Sequence, residues 1–340
     1  MTDASPRPTA WRGLALFWAS ILAVLVAGGV VLQVVGPPDA SWRAPVAAQS
    51  PKARPAIAAA RAGRVAAGPV ADPDPALLET PQGGAPASGL PRIAPDGRAP
   101  MQVYAAGFDP ATKTPRIGLV LAGIGLDATA SEDAIRELPA AVTLAISPYA
   151  ASPGAILAAA RQAGHEYLLS IPMEPQGYPQ NDPGVRALLR SAAPTENAQR
   201  LDWALQRIAG YVGATGALGE MRGERFAGVA DQMEPVLTTL ARRGLLYVDP
   251  RPGAARLAHV WSCDVDVVID DPPTGDAIDA RLAELEKRAH DTGVALGLVG
   301  AVHPVTIAHL KSWAGNLAGR GYALAPVSAI ATPPAVRTEQ

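Results

Sequence analysis

From Pro115 onward, short aliphatic runs alternate with helical stretches, and this alternation constrains the fold more than any other feature of the chain. The runs Ile117 to Leu121, Val142 to Ile146, Tyr167 to Ile171, Val212 to Thr215, Leu245 to Val248, Val267 to Ile269, Val294 to Val299 and Ala323 to Val327 read as strands. Helical patterns lie between them at Ser131 to Leu138, Pro153 to Ala163, Ala198 to Tyr211, Asp231 to Arg243, Ala277 to Asp291 and Val305 to Gly319. Such alternation predicts an α/β fold, a parallel sheet with crossover helices. Eight strands in about 215 residues suit a closed or distorted (β/α) barrel better than an open sheet, and there function collects at the C-terminal strand ends. That rule nominates Ala122 to Gly125, Ser147 to Tyr149, Pro172 to Glu174, Thr215 to Glu220, Asp249 to Arg251, Asp270 to Asp271 and Gly300 to His303.

Upstream the texture is different. No charged residue occurs from Gly13 to Pro38, and Leu14 to Val35 is apolar apart from Ser20 and Gln33. At 1.5 Å per residue that stretch spans about 33 Å, the thickness of a bilayer core. Residues 13–36 are therefore read as one transmembrane anchor, with Trp11, Trp18 and Trp42 in or beside it. Arg7 and Arg12 precede the run, which keeps the arm of residues 1–12 cytoplasmic and places the rest outside, in the periplasm of an inner-membrane protein. The competing reading is a cleaved signal peptide with Val46-Ala47-Ala48 as its site. The apolar run is too long for that, and the site lies too far beyond its end. Of the 34 prolines, 15 fall between Pro37 and Pro115, and residues 37–96 carry no sustained apolar period, so they are expected to be a disordered linker. A domain over 97–332 and a short tail over 333–340 complete the division.

Several functions are excluded early. A formal net charge of −2 gives no basic field for nucleic acid. Cys263 is the one cysteine, which rules out an intrachain disulfide and multi-cysteine metal sites. Gly123 to Ala128 formally fits G-x-G-x-x-G/A, but the next strand ends in Ile146-Ser147-Pro148-Tyr149, with no carboxylate for a ribose. A tight strand-to-helix turn is the simpler account. The glycine-rich run Gly213 to Gly219 lacks the ending of a phosphate loop, and no G-x-S-x-G elbow is present. His165-Glu166 lacks the second histidine of a zincin helix, and His303 and His309, six apart, would point to different sides of a helix. More informative is Pro172 to Gly184, where four prolines stiffen a loop and set Glu174 at the barrel mouth. Asp249-Pro250-Arg251 joins a carboxylate to a fixed-charge guanidinium, either a binding pair or a structural ion pair.

Taken in order, Leu138-Pro139 with Val142 to Ala150, Gly164-His165-Glu166 leading to Pro172 to Pro175, Asn181 to Gly184, Gly244 to Asp249, and Val302 to Thr306 resemble the divergent polysaccharide deacetylase family. The resemblance runs from Gly97 to the C-terminus and implies a distorted α/β barrel related to metal-dependent carbohydrate esterases. It also implies a metal held by an Asp-Asp-x-Gly motif and two histidines. Here those positions read Ala122 and Gly123 for the aspartates and Ala217 for one histidine, and only His303 is retained. Alanine and glycine offer no lone pair, so no metal is expected. Glu174, Asp249, Arg251, Asp270 and His303 remain as ligand-binding candidates, Asp249 and His303 among them as the candidates for catalysis. The expectation is a membrane-anchored, periplasm-facing protein without metal-dependent deacetylase activity that acts in glycan binding or envelope carbohydrate metabolism, with an envelope glycan or an envelope protein as its partner. The alternative is an active carbohydrate hydrolase using the remaining acids and His303, with zinc only in that case.

Overall fold

The computed structural model describes residues 69–79, 89–254, 257 and 259–334. The expected anchor and cytoplasmic arm lie outside them, as does most of the linker. Among the described residues no helix is long and apolar enough to cross a membrane.

The expected strand–helix alternation is present. Strands β1 (Arg116–Ile124), β2 (Thr143–Ile146), β3 (Tyr167–Ser170), β4 (Gly213–Thr215), β5 (Leu246–Asp249), β6 (Ser262–Asp264), β7 (Val267–Val268), β8 (Val294–Val299) and β9 (Ala323–Leu324) form one sheet. All its pairings are parallel, in the order β6-β5-β4-β3-β2-β1-β8-β7. The helices after β1 are α1 (Ala128–Glu137), α2 (Pro153–Ala163), α3 (Pro194–Leu205), α4 (Glu224–Ala227), α5 (Ala230–Arg242), α6 (Gly275–Thr292), α7 (Pro304–Leu317) and α8 (Val327–Ile330). Helix α6 buries Ile278, Leu282, Leu285 and Ala289, the spacing of one helical face.

Strand alternation sorts the core into two layers. Val120, Ala122, Ala145, Leu168, Val248, Leu296 and Leu298 share an inner cluster. Leu119, Leu121, Leu144, Ile146, Leu169 and Val299 pack outward against helix residues such as Ile135, Leu157, Leu285 and Leu310. Buried on both faces, β1 reads as a continuous aliphatic run, as parallel strands do.

Strand β6 was not foreseen, and it explains how the sheet curls. The segment from Ser262 to Val268 changes partner along its length. Its first part pairs with β5, and the Val265 N–H donates to Asp249 O at 3.0 Å. The Asp266 N–H then donates to Leu296 O at 2.8 Å, and Val267–Val268 pair with β8. The two ends of the hydrogen-bonded path are thus consecutive pieces of one segment, and the barrel is distorted where that segment crosses.

Three expectations are corrected. The linker does not extend to residue 96: Leu78–Glu79 pairs antiparallel with Leu90–Pro91, and the Val70 N–H donates to Arg161 O at 3.1 Å. Val70, Leu77, Ala94 and Tyr104 belong to the inner cluster, with Leu77 at 0% exposure. Burying one such leucine contributes about 2 kcal/mol, and Val70, Leu77, Ala94 and Tyr104 together help offset the entropy of ordering the segment. The helix expected over Ala198 to Tyr211 starts earlier, at Pro194, and ends at Leu205, before Gly210 takes φ +85°. The last expected strand is limited to Ala323–Leu324, because Val327–Ile330 turn into a helix.

Candidate functional site

Strand C-termini open onto a cavity of about 660 Å³. Leu126, Leu218, Gly219 and Gly300 line it together with Gln176, Asn181, Asp182, Glu220, Arg222, Glu224, Asp270 and Asp271. Its charge is mostly negative. Glu224 is engaged, for Arg222 Nε lies 3.2 Å from its Oε1 and the Gln176 N–H donates to its Oε2 at 3.1 Å. Glu220 faces His303 instead, with Oε1 3.9 Å from Nε2.

The carboxylates nominated from sequence hold the loops of this mouth. Glu174 is buried after β3. Its Oε2 accepts the Arg190 N–H at 2.9 Å, and its Oε1 lies 3.2 Å from Arg190 Nε and 3.3 Å from Arg225 Nε. The Glu174 backbone oxygen accepts the N–H groups of Arg225 and Phe226, which staples the proline-rich loop to α4. Asp249, at the end of β5, takes Arg251 Nε on Oδ1 at 2.9 Å and Nη2 on Oδ2 at 2.6 Å. This two-pronged bond, the largest influence on the Arg251 guanidinium, raises its pKa above the usual value. Asp270 accepts the N–H groups of Gly300 and Ala301 at 2.8 to 3.0 Å and fixes the loop after β8. His303 caps α7, and 46% of its side chain is exposed.

The positions that carry the metal ligands in the resemblance come together at the same end. Ala122 and Ala217 are fully buried in the inner cluster, and the Ala217 N–H donates to Thr215 Oγ1 at 3.2 Å. Gly123 sits where the β1–β2 register shifts, at φ +78°. A β-carbon there would point toward Gly300 O, 3.4 Å away, and Gly219 Cα, 3.7 Å away. Two methyl groups and a hydrogen cannot donate to an ion. Among the described residues no three His, Cys, Asp or Glu side chains gather where one metal could bind them. The residues present therefore do not fit a zinc ion held by at least three protein ligands at the family position.

The strand-end rule nominated Glu220 and Asp271, and both line the cavity; sequence reasoning missed Arg222 and Glu224 as cavity residues, and Arg186 and Arg207 beside the mouth. Arg222 and Glu224 closely follow the glycine-rich loop Gly213 to Gly219, and that proximity was the available signal. The dinucleotide-like turn is a strand-to-helix turn: Asp127 caps α1 by accepting the Ala130 N–H at 2.8 Å, and the Gly125 N–H donates to Ser131 Oγ at 2.9 Å. His165 is buried between α2 and β3, and His309 pairs with Asp279 at 2.7 Å on the outer surface.

The sequence profile described as divergent polysaccharide deacetylase matches residues 119–331. No curated protein matches the chain. Among solved structures, an uncharacterised protein from Agrobacterium tumefaciens is 33% identical, with a TM-score of 0.65 over 72% of this chain and 99% of that one. A family 4 carbohydrate esterase from Streptomyces lividans, in complex with acetate, is 14% identical, with a TM-score of 0.39 over 66% of this chain and 99% of that one. The catalytic domain of a peptidoglycan N-acetylglucosamine deacetylase from Eubacterium rectale is 13% identical, with a TM-score of 0.41 over 68% and 95%.

Proposed function

The chain belongs to the divergent polysaccharide deacetylase family, and from that premise we propose that it is a membrane-anchored, periplasm-facing protein that binds an envelope glycan without metal-assisted deacetylation. One observation carries the reading. Ala122, Gly123 and Ala217 stand where the family's metal ligands would, while the mouth above them keeps a cavity of about 660 Å³ rimmed by amides and carboxylates. That volume lies within the ordinary range for small-ligand sites. Carboxylates and amides accept and donate the many hydrogen bonds that a sugar's hydroxyl groups require. The uncharged run from Gly13 to Pro38 supports the anchor, and Arg7 and Arg12 support the orientation.

A second reading, a carbohydrate hydrolase, is favoured by the 3.9 Å approach of His303 to Glu220 at the cavity rim, since an imidazole beside a carboxylate can move a proton. Titration of the full-length chain with chitohexaose, coupled to an acetate assay, separates the two. Binding without acetate release or chain cleavage supports the glycan-binding reading. Turnover that disappears in His303→Ala and Glu220→Gln would replace it with the hydrolase.

A further inference from the structure

Beside the mouth, two guanidinium groups gather on one indole. Arg186 Cζ lies 5.9 Å and Arg207 Cζ 5.7 Å from the ring centroid of Trp203, a half-buried residue of α3. Tyr149 completes the cluster, its ring 5.4 Å from that of Trp203. A hydrogen bond holds the side chain of Arg207, and another holds the backbone of Arg186. Arg207 Nε donates to Pro148 O at 3.0 Å, and the Arg186 backbone N–H donates to Tyr149 Oη at 3.3 Å. The loop bearing Arg186 reaches Tyr149 through Gly184, whose φ of +99° and lack of a β-carbon allow contact: an added one would lie 2.7 Å from Tyr149 Oη.

What sets these two arginines apart is that no described residue serves as a counter-ion to either. Arg190, Arg200, Arg222, Arg225 and Arg251, all in the same part of the molecule, are each within 3.3 Å of a carboxylate oxygen. Among the described residues neither Arg186 nor Arg207 has an ion-pair partner, and both are exposed. Holding two like charges on one ring costs Coulomb energy that an anion between them would offset. An exposed guanidinium over an indole keeps N–H donors free for a ligand, and a carboxylate or phosphate is the partner its planar fork grips with two parallel bonds.

We propose that Trp203, Arg186, Arg207 and Tyr149 form a subsite for an acidic sugar unit, one bearing a carboxylate or phosphate. The proposal rests on the glycan-binding reading and adds a direction to it. Asn181 and Asp182 line the cavity and lie on the loop that carries Arg186. A glycan leaving the acidic mouth along that loop meets positive charge within a few residues. Neutral units fit the mouth, where Asp182, Glu220 and Asp271 repel an anion, and the acidic unit fits the arginine platform. The charge reversal fixes the register of the chain.

The test uses the full-length protein and three hexasaccharide probes: one of alternating glucuronate and N-acetylglucosamine, its carboxyl-reduced neutral form, and the neutral form phosphorylated at one end. An acidic probe should bind about tenfold more tightly than the neutral one, the worth of one hydrogen-bonded charged contact, and lose that advantage as salt is raised. Arg186→Ala and Arg207→Ala should each remove about tenfold from the acidic probe and leave the neutral probe unchanged. Arg186→Lys, which keeps the charge without the planar fork, should recover part of the loss, an outcome that mere loop damage would not give. Whichever acidic probe binds more tightly identifies the anion. Equal affinity for all three probes, unaltered in the arginine variants, would overturn the acidic subsite and leave glycan binding standing. No binding of any probe would overturn both.

Discussion

A β-carbon on Gly123 would lie 3.4 Å from the carbonyl oxygen of Gly300, because the ends of β1 and β8 close on each other just where the resemblance expects a metal-binding carboxylate. The backbone at Gly123 has φ +78°, a region that disfavours any side chain. Gly123→Asp should therefore lower stability by about 1–2 kcal/mol, toward the smaller value because aspartate tolerates this region better than most residues. Adding Ala122→Asp and Ala217→His should cost more, since both alanines are fully buried and overpacking costs about 1–3 kcal/mol. Thermal melts check this, and a triple variant as stable as the parent would contradict it.

Glu166 lies at the opposite end of the barrel from the mouth, fully buried, and accepts hydrogen bonds from the N–H groups of Ala106 and Ser328 and the hydroxyls of Thr143 and Ser328. It joins the segment before β1 to β2, β3 and α8. Glu166→Ala should cost about 3 kcal/mol or more by stranding these donors. Burial, the largest influence, raises the carboxyl above the ordinary glutamate range, against the pull of its donors. The folded chain then holds the proton where the unfolded chain has lost it, starting near the ordinary value of about 4.3. The stability contribution is complete below that pH and is lost as pH rises through the raised value. Urea unfolding from pH 4 to pH 8 should show this decline in the parent and a flatter profile in Glu166→Gln. Parallel profiles would mean that the carboxyl does not titrate as described.

Glu174 and Glu220 should separate under mutation although both stand near the mouth. Glu174→Ala leaves Arg190 and Arg225 without their shared carboxylate, and with both guanidiniums partly in water the cost should be about 2 kcal/mol. Faster amide exchange at Arg190 should accompany it, because its N–H donates to the Glu174 carboxylate, whereas the N–H groups of Arg225 and Phe226 bond the Glu174 backbone oxygen that the variant keeps. Glu220→Gln should leave melting unchanged and alter only glycan affinity, since the Glu220 side chain is 74% exposed. Equal melting temperatures for the two variants would refute the structural role of the Glu174 carboxylate.

How much of this was legible in the sequence depends on what each residue contacts. The runs Val294 to Val299 and Pro153 to Ala163 were read with their observed bounds, because apolar period, a leading proline and a closing glycine all agree there. Ser262–Asp264 was invisible: three residues ending in a carboxylate carry no strand signal, and what orders them is distant in sequence, the edge of β5 and a bridge from Ser262 to Thr332. Leu77 lies in a proline-rich stretch whose composition reads as linker, and its burial depends on a barrel end far away in sequence. The sequence also nominated Glu174, Asp249 and Asp270 as mouth residues. Their locations follow from strand ends, whereas the partners that engage them, Arg190, Arg251 and the Gly300 backbone, depend on loop geometry that spacing does not specify.

The N-terminal boundary gives a fourth prediction. A chain beginning at Pro69 should fold, whereas one beginning at Gly97 loses Val70, Leu77 and Ala94 from the inner cluster. Leu77→Ala within the intact chain should cost about 2–5 kcal/mol, as for other fully buried leucines. Denaturant melts of the three proteins check this. A Gly97 start as stable as the Pro69 start would return the segment to the linker.

The central claim, that the family's metal position is closed in this protein, is tested most directly by elemental analysis of the full-length chain after incubation with excess zinc and removal of free metal. The account predicts far less than about one zinc per chain, the stoichiometry of a catalytic site, with no change in His303→Ala. About one zinc per chain, lost when His303 or Glu220 is replaced, would contradict it.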